Sequence, residues 1–247
     1  LVERIPLSNR FGRYVSLILV RKTESEVIFR TEGSGEGLSK ELVRAGAKDG
    51  EPIPRVVISK RKQVAVERRT GRELLRRDNM LYGYAVGGGG AQKSRVITDD
   101  AFSLLPAYSI TANKTFNALY DNGTMRDPVT GKASASINED EYVKPEAHFL
   151  DIETLKDVTL GELKYVLGNI LRSTRYGAIS SRLGRVKNLI VGMIFSDCEI
   201  FSNLELTQRV YDLLQEDGKS DFPLNTQNVL KAVQRAEGEL IRQVAGE

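Results

Sequence analysis

The chain is poor in the residues that most often carry metal or redox chemistry: 247 residues include one cysteine, one histidine and no tryptophan. A single cysteine, Cys198, excludes an internal disulfide and fits a reducing cytoplasm. Together with His148 it falls short of the four nitrogen or sulfur ligands of a typical zinc site. No apolar run reaches the roughly 20 residues that a membrane helix needs, and residues 1–4 lack a signal-peptide pattern. We therefore expect a cytoplasmic protein without a membrane partner.

Positive charge is concentrated in the stretch 55–77, which carries nine Lys and Arg residues and two Glu residues. Its net charge of +7 exceeds the +3 of the whole chain, so the remainder carries −4. A gathered basic stripe in a mildly charged protein is what a polyanion-binding groove needs. Apolar residues such as Val64 and Leu74 run through the stripe and indicate a folded element. A solvated charged face is the alternative interpretation.

A second basic cluster spans residues 172–187, with five cations and no acid. Cations suit the C-terminal end of a helix, which accounts for Arg172 and Arg175 but not for Arg182 and Arg185. Glycines and serines between the arginines would let a phosphate backbone approach, and Arg and Ser would donate hydrogen bonds to it. The pattern therefore predicts phosphate contacts.

The glycine run at residues 87–90 resembles part of a phosphate-binding P-loop. Gln92 occupies the position of the second obligatory glycine in that motif, so we do not expect a nucleoside triphosphate site. Four glycines followed by Lys93 and Arg95 could donate backbone N–H groups to a polynucleotide. A tight flexible turn explains the run equally well, and the sequence leaves both interpretations open.

Catalysis has little support in the sequence. Asp99 and Asp100 could bind Mg²⁺, but neighbouring residues of a strand point apart, and we expect them to cap a helix that begins at Ala101. His148 stands beside Phe149 and Leu150 and is expected to be structural or exposed. No Ser/His/Asp or Cys/His arrangement can be composed, so we predict no enzymatic activity, no cofactor and no metal.

The pattern of apolar residues predicts an α+β fold built around an antiparallel sheet. Capping boxes at Thr159 and Ser202 and a cap at Asn225 or Thr226 predict three C-terminal helices. A further helix is expected at 70–77, and residues 32–54 read as a loop or mobile insertion. The flanks 111–120 and 136–142 are expected to pair as a long hairpin. Strands are predicted at 14–20, 26–30, 56–59, 63–67, 81–86, 95–98 and 188–195.

Six segments together resemble the repeated backbone subunit of type I-D CRISPR surveillance (Cascade) complexes, which belongs to the CRISPR-RNA-binding RAMP superfamily. The match covers most of the chain. The segments are RFGRY (10–14), VIFRTE (27–32), KRKQVAVERRTGRELLR (60–76), LYGYAVGGGGAQKSRVITDD (81–100), RYGAISSRLGRVKN (175–188) and FSDCEIFSNLELTQ (195–208).

The resemblance implies a modified RNA-recognition (ferredoxin-like) palm that forms one domain over residues 1–247. A finger-like basic insertion would occupy 32–80 and a thumb-like hairpin 113–147. Copies would polymerise into a helical filament along the CRISPR RNA, hold its sugar-phosphate backbone and present its bases to target DNA or RNA in antiviral defence. Other partners would be the large subunit and the subunit at the guide 5′ end. Sequence-independent phosphate contacts suit such a task.

The residues expected to contact the guide RNA come from both basic clusters, the glycine run and the N-terminal RFGRY segment. They are Arg10, Arg13, Lys60, Arg61, Lys62, Arg68, Arg69, Arg72, Gly88, Gly89, Gln92, Lys93, Arg95, Arg175, Tyr176, Ser180, Ser181, Arg182 and Arg185.

Two alternatives stay open. In related type III backbone subunits an aspartate cuts target RNA, and a metal-dependent ribonuclease here would use Asp99, Asp100 or Asp121, although no motif offers a clear counterpart. Some relatives carry a cysteine cluster that could bind metal, which this chain lacks. The other alternative is a basic structural protein whose charged face is only solvated.

Overall fold

The computed structural model describes residues 14–30, 37–48, 50–75, 80–86, 90–117, 129–132, 137–178 and 183–246. The strands are β1 (Tyr14–Thr23), β2 (Lys40–Arg44), β3 (Pro52–Ile58), β4 (Tyr84–Val86), β5 (Gly90–Gln92), β6 (Val96–Thr98), β7 (Ala101–Ser103), β8 (Thr111–Asn117), β9 (Ile137–Val143), β10 (His148–Lys156), β11 (Arg175–Tyr176) and β12 (Gly184–Ser196). The helices are α1 (Lys60–Leu75), α2 (Ala107–Ile110), α3 (Leu160–Arg172), α4 (Asn203–Glu216) and α5 (Thr226–Ala245).

An eight-stranded sheet forms the centre of the molecule, in the order β11-β12-β1-β10-β7-β3-β2, with β6 also paired to β10. The strand pairs are antiparallel. The helix α1 follows β1 in the chain, and α3 follows β10. Strand order and helix positions are those of a ferredoxin-like βαββαβ unit, so the predicted α+β fold is confirmed.

The central strands β1 and β10 are buried on both faces. Along β1, Leu17 and Leu19 face a core under α1 and α3, whereas Ile18 and Val20 face a second core under α4 and α5. The two cores explain why β1 reads as a continuous apolar run instead of an alternating one. The helix α1 therefore lies on one side of the sheet, packed beside α3.

The C-terminal helices begin where the sequence predicts. Thr159 and Glu162 form a capping box on α3, and Ser202 and Glu205 form one on α4. The Asn225 side chain accepts hydrogen bonds from the first turn of α5. None of the helices described in the structure is long and apolar enough to cross a membrane.

The long hairpin is also confirmed. Strand β8 pairs with β9 from Thr111 opposite Val143 to Asn117 opposite Ile137. Lys114 at its base pairs with Glu26, at 2.9 Å between Nζ and Oε2. The tip falls largely in 118–128 and 133–136, outside the described residues.

Several local predictions are wrong. Residues 26–30 form no strand and contribute only an isolated bridge between Val27 and Val143. Residues 63–67 belong to α1 and not to a strand. The predicted strand 81–86 is a 3₁₀ turn, Met80–Tyr82, followed by β4.

Two further expectations change at the level of the fold. The predicted loop 32–54 contains β2 and the start of β3 in its described part. Because β3 lies in the central sheet and α1 packs on it, residues 52–75 of the predicted finger insertion belong to the core of the fold.

Ala101 begins strand β7, so Asp99 and Asp100 do not cap a helix there.

Candidate nucleic-acid interface

Helix α1 carries most of the first basic cluster on its outer face. Arg61, Lys62 and Arg69 are exposed, while Gln63, Glu67 and Gly71 point inward. The spacing of these three inner positions is helical, but they are polar or small. The helix therefore has the usual helical periodicity of buried positions, but the residues at those positions are polar or small instead of apolar. Its outer face is almost wholly cationic.

The start of α1 is fixed by side chains from neighbouring segments. The Lys60 N–H donates to Asp100 Oδ1 at 2.8 Å, which satisfies one of the free donors at the helix N-terminus. Gln63 Nε2 donates to the Ile58 carbonyl at 2.9 Å. Asp100 therefore caps the N-terminus of α1, which is a distant segment of the chain. It does not cap a helix formed by the residues that follow it.

The middle of α1 packs closely against α3. Gly71 faces Tyr165 and Asn169, and a Cβ at position 71 would meet the Tyr165 hydroxyl at 2.2 Å. One turn away, the hydroxyls of Thr70 and Ser173 are hydrogen-bonded at 2.9 Å. This contact brings the basic face of α1 beside the C-terminal end of α3.

A buried arginine holds the inner face of α1 to the sheet. Arg21 on β1 is fully buried, and its Nη2 donates to Glu67 Oε1 at 3.0 Å. The same nitrogen donates to Asp151 Oδ2 and Glu153 Oε1, each at 2.7 Å. One guanidinium thus serves three carboxyl groups from α1 and β10.

The other side of the Arg21 guanidinium reaches the second basic cluster. Arg21 Nη1 donates to the Tyr176 hydroxyl at 3.0 Å and to Asn188 Oδ1 at 2.9 Å. Tyr176 is only 1% exposed, so it is not available to contact RNA, contrary to the prediction. Burial also raises the pKa of the Tyr176 hydroxyl. Its role is to fix β11 and β12 beneath the surface.

The two basic clusters meet at one open cavity of about 440 Å³. Arg69 comes from α1, Arg172 from the end of α3 and Arg175 from β11. Thr174 contributes a hydroxyl group and Glu73 contributes one acid, whereas the Thr70 hydroxyl in the wall already donates to the Val66 carbonyl. Guanidinium and hydroxyl donors around an open cleft suit a phosphate group.

A second cleft lies on the other side of α1. It has a volume of about 520 Å³ and is bordered by Arg69, which also borders the first cavity. Tyr82 and Ser94 form part of the wall opposite α1. The other cations of this cleft all come from α1 and are Lys60, Arg61, Arg68 and Arg72. The outer face of α1 is therefore a continuous basic ridge between two clefts.

Other predicted contacts have partners within the protein. Arg95 pairs with Glu162 at the start of α3 and donates to the Asp157 carbonyl at 2.8 Å. Arg185 Nε lies 2.8 Å from Glu24 Oε2. Arg175 is exposed and donates to the Leu183 carbonyl at 3.2 Å. Arg55 of the basic stripe is buried under carbonyl groups, and burial lowers its pKa to about 10.

The glycine-run contacts split between described and undescribed residues. Gln92 lies in the short strand β5, and Lys93 directly after it is exposed. Seven predicted contacts lie outside the described residues: Arg10, Arg13, Gly88, Gly89, Ser180, Ser181 and Arg182.

Glycines set the position of the strand pair that carries Arg175 and Arg185. Gly184 lies against Val27, and a Cβ on it would come within 2.2 Å of the Val27 Cβ. Gly177 has a positive φ of 103°, and its added Cβ would meet the Ile28 carbonyl at 2.8 Å. The arginine-bearing strands can therefore approach residues 26–28 only because both positions lack a side chain.

Sequence reasoning missed the buried charged cluster and the contribution of Arg172 to the cleft. A signal for the cluster was present: Arg21 interrupts an apolar strand, and Asp151 and Glu153 alternate on another. Charged residues in strands that are otherwise buried indicate a paired internal group.

In the described residues, no group of three or more His, Cys, Asp or Glu could hold a metal ion. His148 is buried with its Nε2 at 3.0 Å from Thr226 Oγ1, and burial lowers its pKa to about 4. His148 is therefore a neutral structural residue, which is one of the two roles expected for it; the other was an exposed residue.

Comparisons with known proteins agree with this fold. A sequence model described as Csc2 Crispr matches residues 3–81 and 77–246. No curated protein matches the chain. The crystal structure of Thermofilum pendens Csc2 is similar over 89% of this chain and 81% of that one, with 17% identity and a TM-score of 0.57.

Two larger assemblies also contain similar chains. One is the type III-B Cmr-beta complex bound to cognate target RNA, with 11% identity, a TM-score of 0.51 and coverage of 72% of this chain and 61% of that one. The other is a type IV-B CRISPR complex, with 12% identity, a TM-score of 0.51 and coverage of 72% and 90%. At these identities the similarity concerns the fold.

Proposed function

The chain belongs to the Csc2 Crispr family, and we propose that it is the repeated backbone subunit of a type I-D Cascade complex. It binds the sugar-phosphate backbone of the guide CRISPR RNA and assembles with further copies of itself as a filament along that RNA. The guide bases are left free to pair with target DNA or RNA. It works in the cytoplasm beside the large subunit and the subunit at the guide 5′ end, and it has no catalytic role.

The observation that carries this proposal is the meeting of two basic clusters that are about a hundred residues apart in the chain. Arg69, Arg172 and Arg175 border one cleft, and the outer face of α1 continues it as a ridge. Cations and hydroxyls of this kind bind phosphate without reading bases. Binding to any spacer sequence requires that property.

The β8–β9 hairpin supports the assembly part of the proposal. Its paired strands extend from Val143 and Thr111 at the base to Asn117 and Ile137. The described side chains on β8 from Asn113 to Thr115 are exposed, so this ribbon is not part of the core. We assign it the thumb role, in which it contacts the RNA held by a neighbouring copy.

RNA binding is tested with a variant that carries Arg69→Ala, Arg172→Ala and Arg175→Ala. Fluorescence anisotropy would compare two single-stranded RNAs of equal length and unrelated sequence over a series of salt concentrations. We expect similar losses of affinity for both RNAs. The slope of log affinity against log salt should fall by about 2, because each lost phosphate contact contributes about 0.7 for a single strand.

The matched control is Arg242→Ala, which removes an exposed arginine from the last turn of α5. It should leave both affinity and salt slope unchanged. A loss that depends on RNA sequence would contradict phosphate recognition. Unchanged affinity in the triple variant would place the RNA elsewhere.

Assembly is tested by purifying the protein and analysing what accompanies it. Co-purified RNA in a ladder of oligomers, with periodic protection from nuclease, is the expected result. A monomer without RNA affinity at low salt would overturn the proposal.

The ribonuclease alternative receives no support from the described residues. Asp100 is engaged with the start of α1, and Asp121 lies outside the described residues. Incubating labelled RNA with the protein and Mg²⁺, with and without EDTA, tests it directly. Intact RNA in both reactions is expected, whereas EDTA-sensitive cleavage that Asp100→Asn abolishes would restore the alternative.

A further inference from the structure

The charged cluster beneath α1 contains more negative than positive groups. Arg21, Glu67, Asp151 and Glu153 each have fully buried side chains, and one guanidinium contacts all three carboxyl groups. If every group were ionised, the cluster would carry a net charge of −2 with no access to solvent. Burying an unbalanced charge of that kind is strongly unfavourable.

Asp151 is the carboxyl group with hydrogen bonds to both oxygens. Its Oδ2 accepts from Arg21 Nε and Nη2 at 2.9 and 2.7 Å, and its Oδ1 accepts from Asn203 Nδ2 at 3.0 Å. Donors on both oxygens stabilise the ionised form. Asp151 and Arg21 therefore form the ion pair of the cluster.

Glu67 and Glu153 each have one oxygen without such a partner. Their Oε1 atoms accept from the same Arg21 nitrogen, but both Oε2 atoms are buried without a hydrogen-bond donor among the described residues. Because both Oε1 atoms lie on one nitrogen, at 3.0 and 2.7 Å, the two carboxyl groups are neighbours in the cluster. Two carboxylate oxygens are both acceptors, so a bond between them requires a proton.

Among the described residues, no second cation contacts the cluster in place of that proton. The groups that face the cluster are Tyr176 on β11, Asn188 on β12, Tyr82 on the 3₁₀ turn and Asn169 on α3. All four are neutral. Asn169 Nδ2 donates to the Tyr82 hydroxyl at 3.4 Å and not to a carboxyl group.

We propose that Glu67 and Glu153 share one buried proton, and that this proton makes Glu67 a positioning residue that holds α1 on the sheet. The consequence for RNA rests on the proposed function, because α1 carries the basic ridge. Loss of the proton would place two carboxylates beside each other under the helix and loosen the ridge from its register.

The directions of the pKa shifts of Glu67 and Glu153 agree with a shared proton. Burial, followed for Glu153 by the Glu67 charge, raises the pKa values of both glutamates. The folded protein therefore keeps a proton that the unfolded chain releases, so this contribution to stability is fully present below the unfolded pKa of a glutamate. It is lost as the pH rises through the folded pKa.

The proton is tested directly by infrared spectroscopy of the full chain near neutral pH. A protonated carboxyl group absorbs above the amide band, separately from carboxylates. We expect this band in the wild type and its loss in both Glu67→Gln and Glu153→Gln, because the glutamine amide would donate to the remaining carboxylate. Glu73→Gln, an exposed change on the same helix, should keep the band.

A wild type without the band, or a band that survives in either buried variant, would overturn the shared proton. Stability supplies a second readout by urea unfolding from about pH 6 to about pH 9. The wild type and Glu73→Gln should lose stability over this range, whereas Glu67→Gln should lose much less. Equal losses in all three would also contradict the proposal.

RNA affinity then separates this inference from the proposed function. Wild-type affinity should fall several-fold from about pH 6 to about pH 9, and the fall should be smaller in Glu67→Gln. If no variant binds RNA at any pH, the proposed function fails while the infrared result still decides the proton. If affinity falls equally in both proteins, the proton does not position the ridge.

Discussion

Gly71 packs directly against Tyr165, with no room for a methyl group between α1 and α3. A Cβ at position 71 would lie 2.2 Å from the Tyr165 hydroxyl and 2.7 Å from Asn169 Nδ2. The position of the basic helix therefore depends on a residue that has no side chain.

Replacing Gly71 with Ala should lower stability although alanine is the better helix former. The clash should outweigh the roughly 0.5–1 kcal/mol that alanine contributes in a helix. The matched control is Gly238→Ala in α5, where the added Cβ meets nothing within 4 Å. That variant should gain about 0.5–1 kcal/mol in urea unfolding. A gain in both variants would contradict the close packing of α1 on α3.

Tyr176→Phe should reduce stability and leave RNA binding by the folded protein unchanged. The hydroxyl accepts hydrogen bonds from Arg21 and from Asn188, at 3.0 and 2.9 Å. Both donors keep other partners, so the loss should be about 1–2 kcal/mol. Unfolding curves and RNA titrations at low temperature would check this. An affinity loss without a stability loss would indicate that the tyrosine touches RNA.

Gly184→Ala should displace the strands that carry Arg175 and Arg185. The added Cβ would meet Val27 and the Glu26 carbonyl, and backbone cannot move aside as a flexible side chain can. We expect a loss of about 1–3 kcal/mol from overpacking and weaker RNA binding. Gly161→Ala on α3, whose nearest neighbour would be Thr159 Oγ1 at 3.9 Å, is the control and should be neutral or slightly stabilising, since alanine favours a helix.

His148 should make stability fall in mild acid. Its folded pKa of about 4 lies below its ordinary value of 6.5, so the unfolded chain takes up the proton first and stability is lost as the pH falls below 6.5. The loss should reach about 2 kcal/mol by about pH 5. The fall should be smaller in His148→Gln. Because the chain has one histidine, its imidazole signals in NMR give the pKa without assignment.

Much of the fold was predictable because its signals are local. Helices α3, α4 and α5 each begin at a capping residue whose hydrogen-bond partners lie within three residues along the chain. Strands β8 and β9 flank a segment rich in turn signals. The interpretation of α1 failed for a physical reason. Its inner positions Gln63 and Glu67 are buried only because Ile58 and Arg21 provide hydrogen-bond partners, and hydropathy does not record such partners.

The candidate site was predictable in composition but not in arrangement. The sequence identified both basic clusters, and the exposed Arg69 and Arg175 remain predicted contacts. It could not show that Tyr176 lies beneath them, or that Arg95 pairs with Glu162 of α3. Such pairings depend on long-range topology, which periodicity does not contain.

The inner face of α1 also limits how this helix can change or be reused. A designer who moves the basic ridge to another scaffold must supply counterparts for Arg21, Asp151 and Glu153, which come from two strands of the original sheet. The helix is therefore not a transferable module. A replacement of Glu67 by an apolar residue would leave Arg21 paired with Asp151 and Glu153, and would remove only the contact that ties α1 to the cluster.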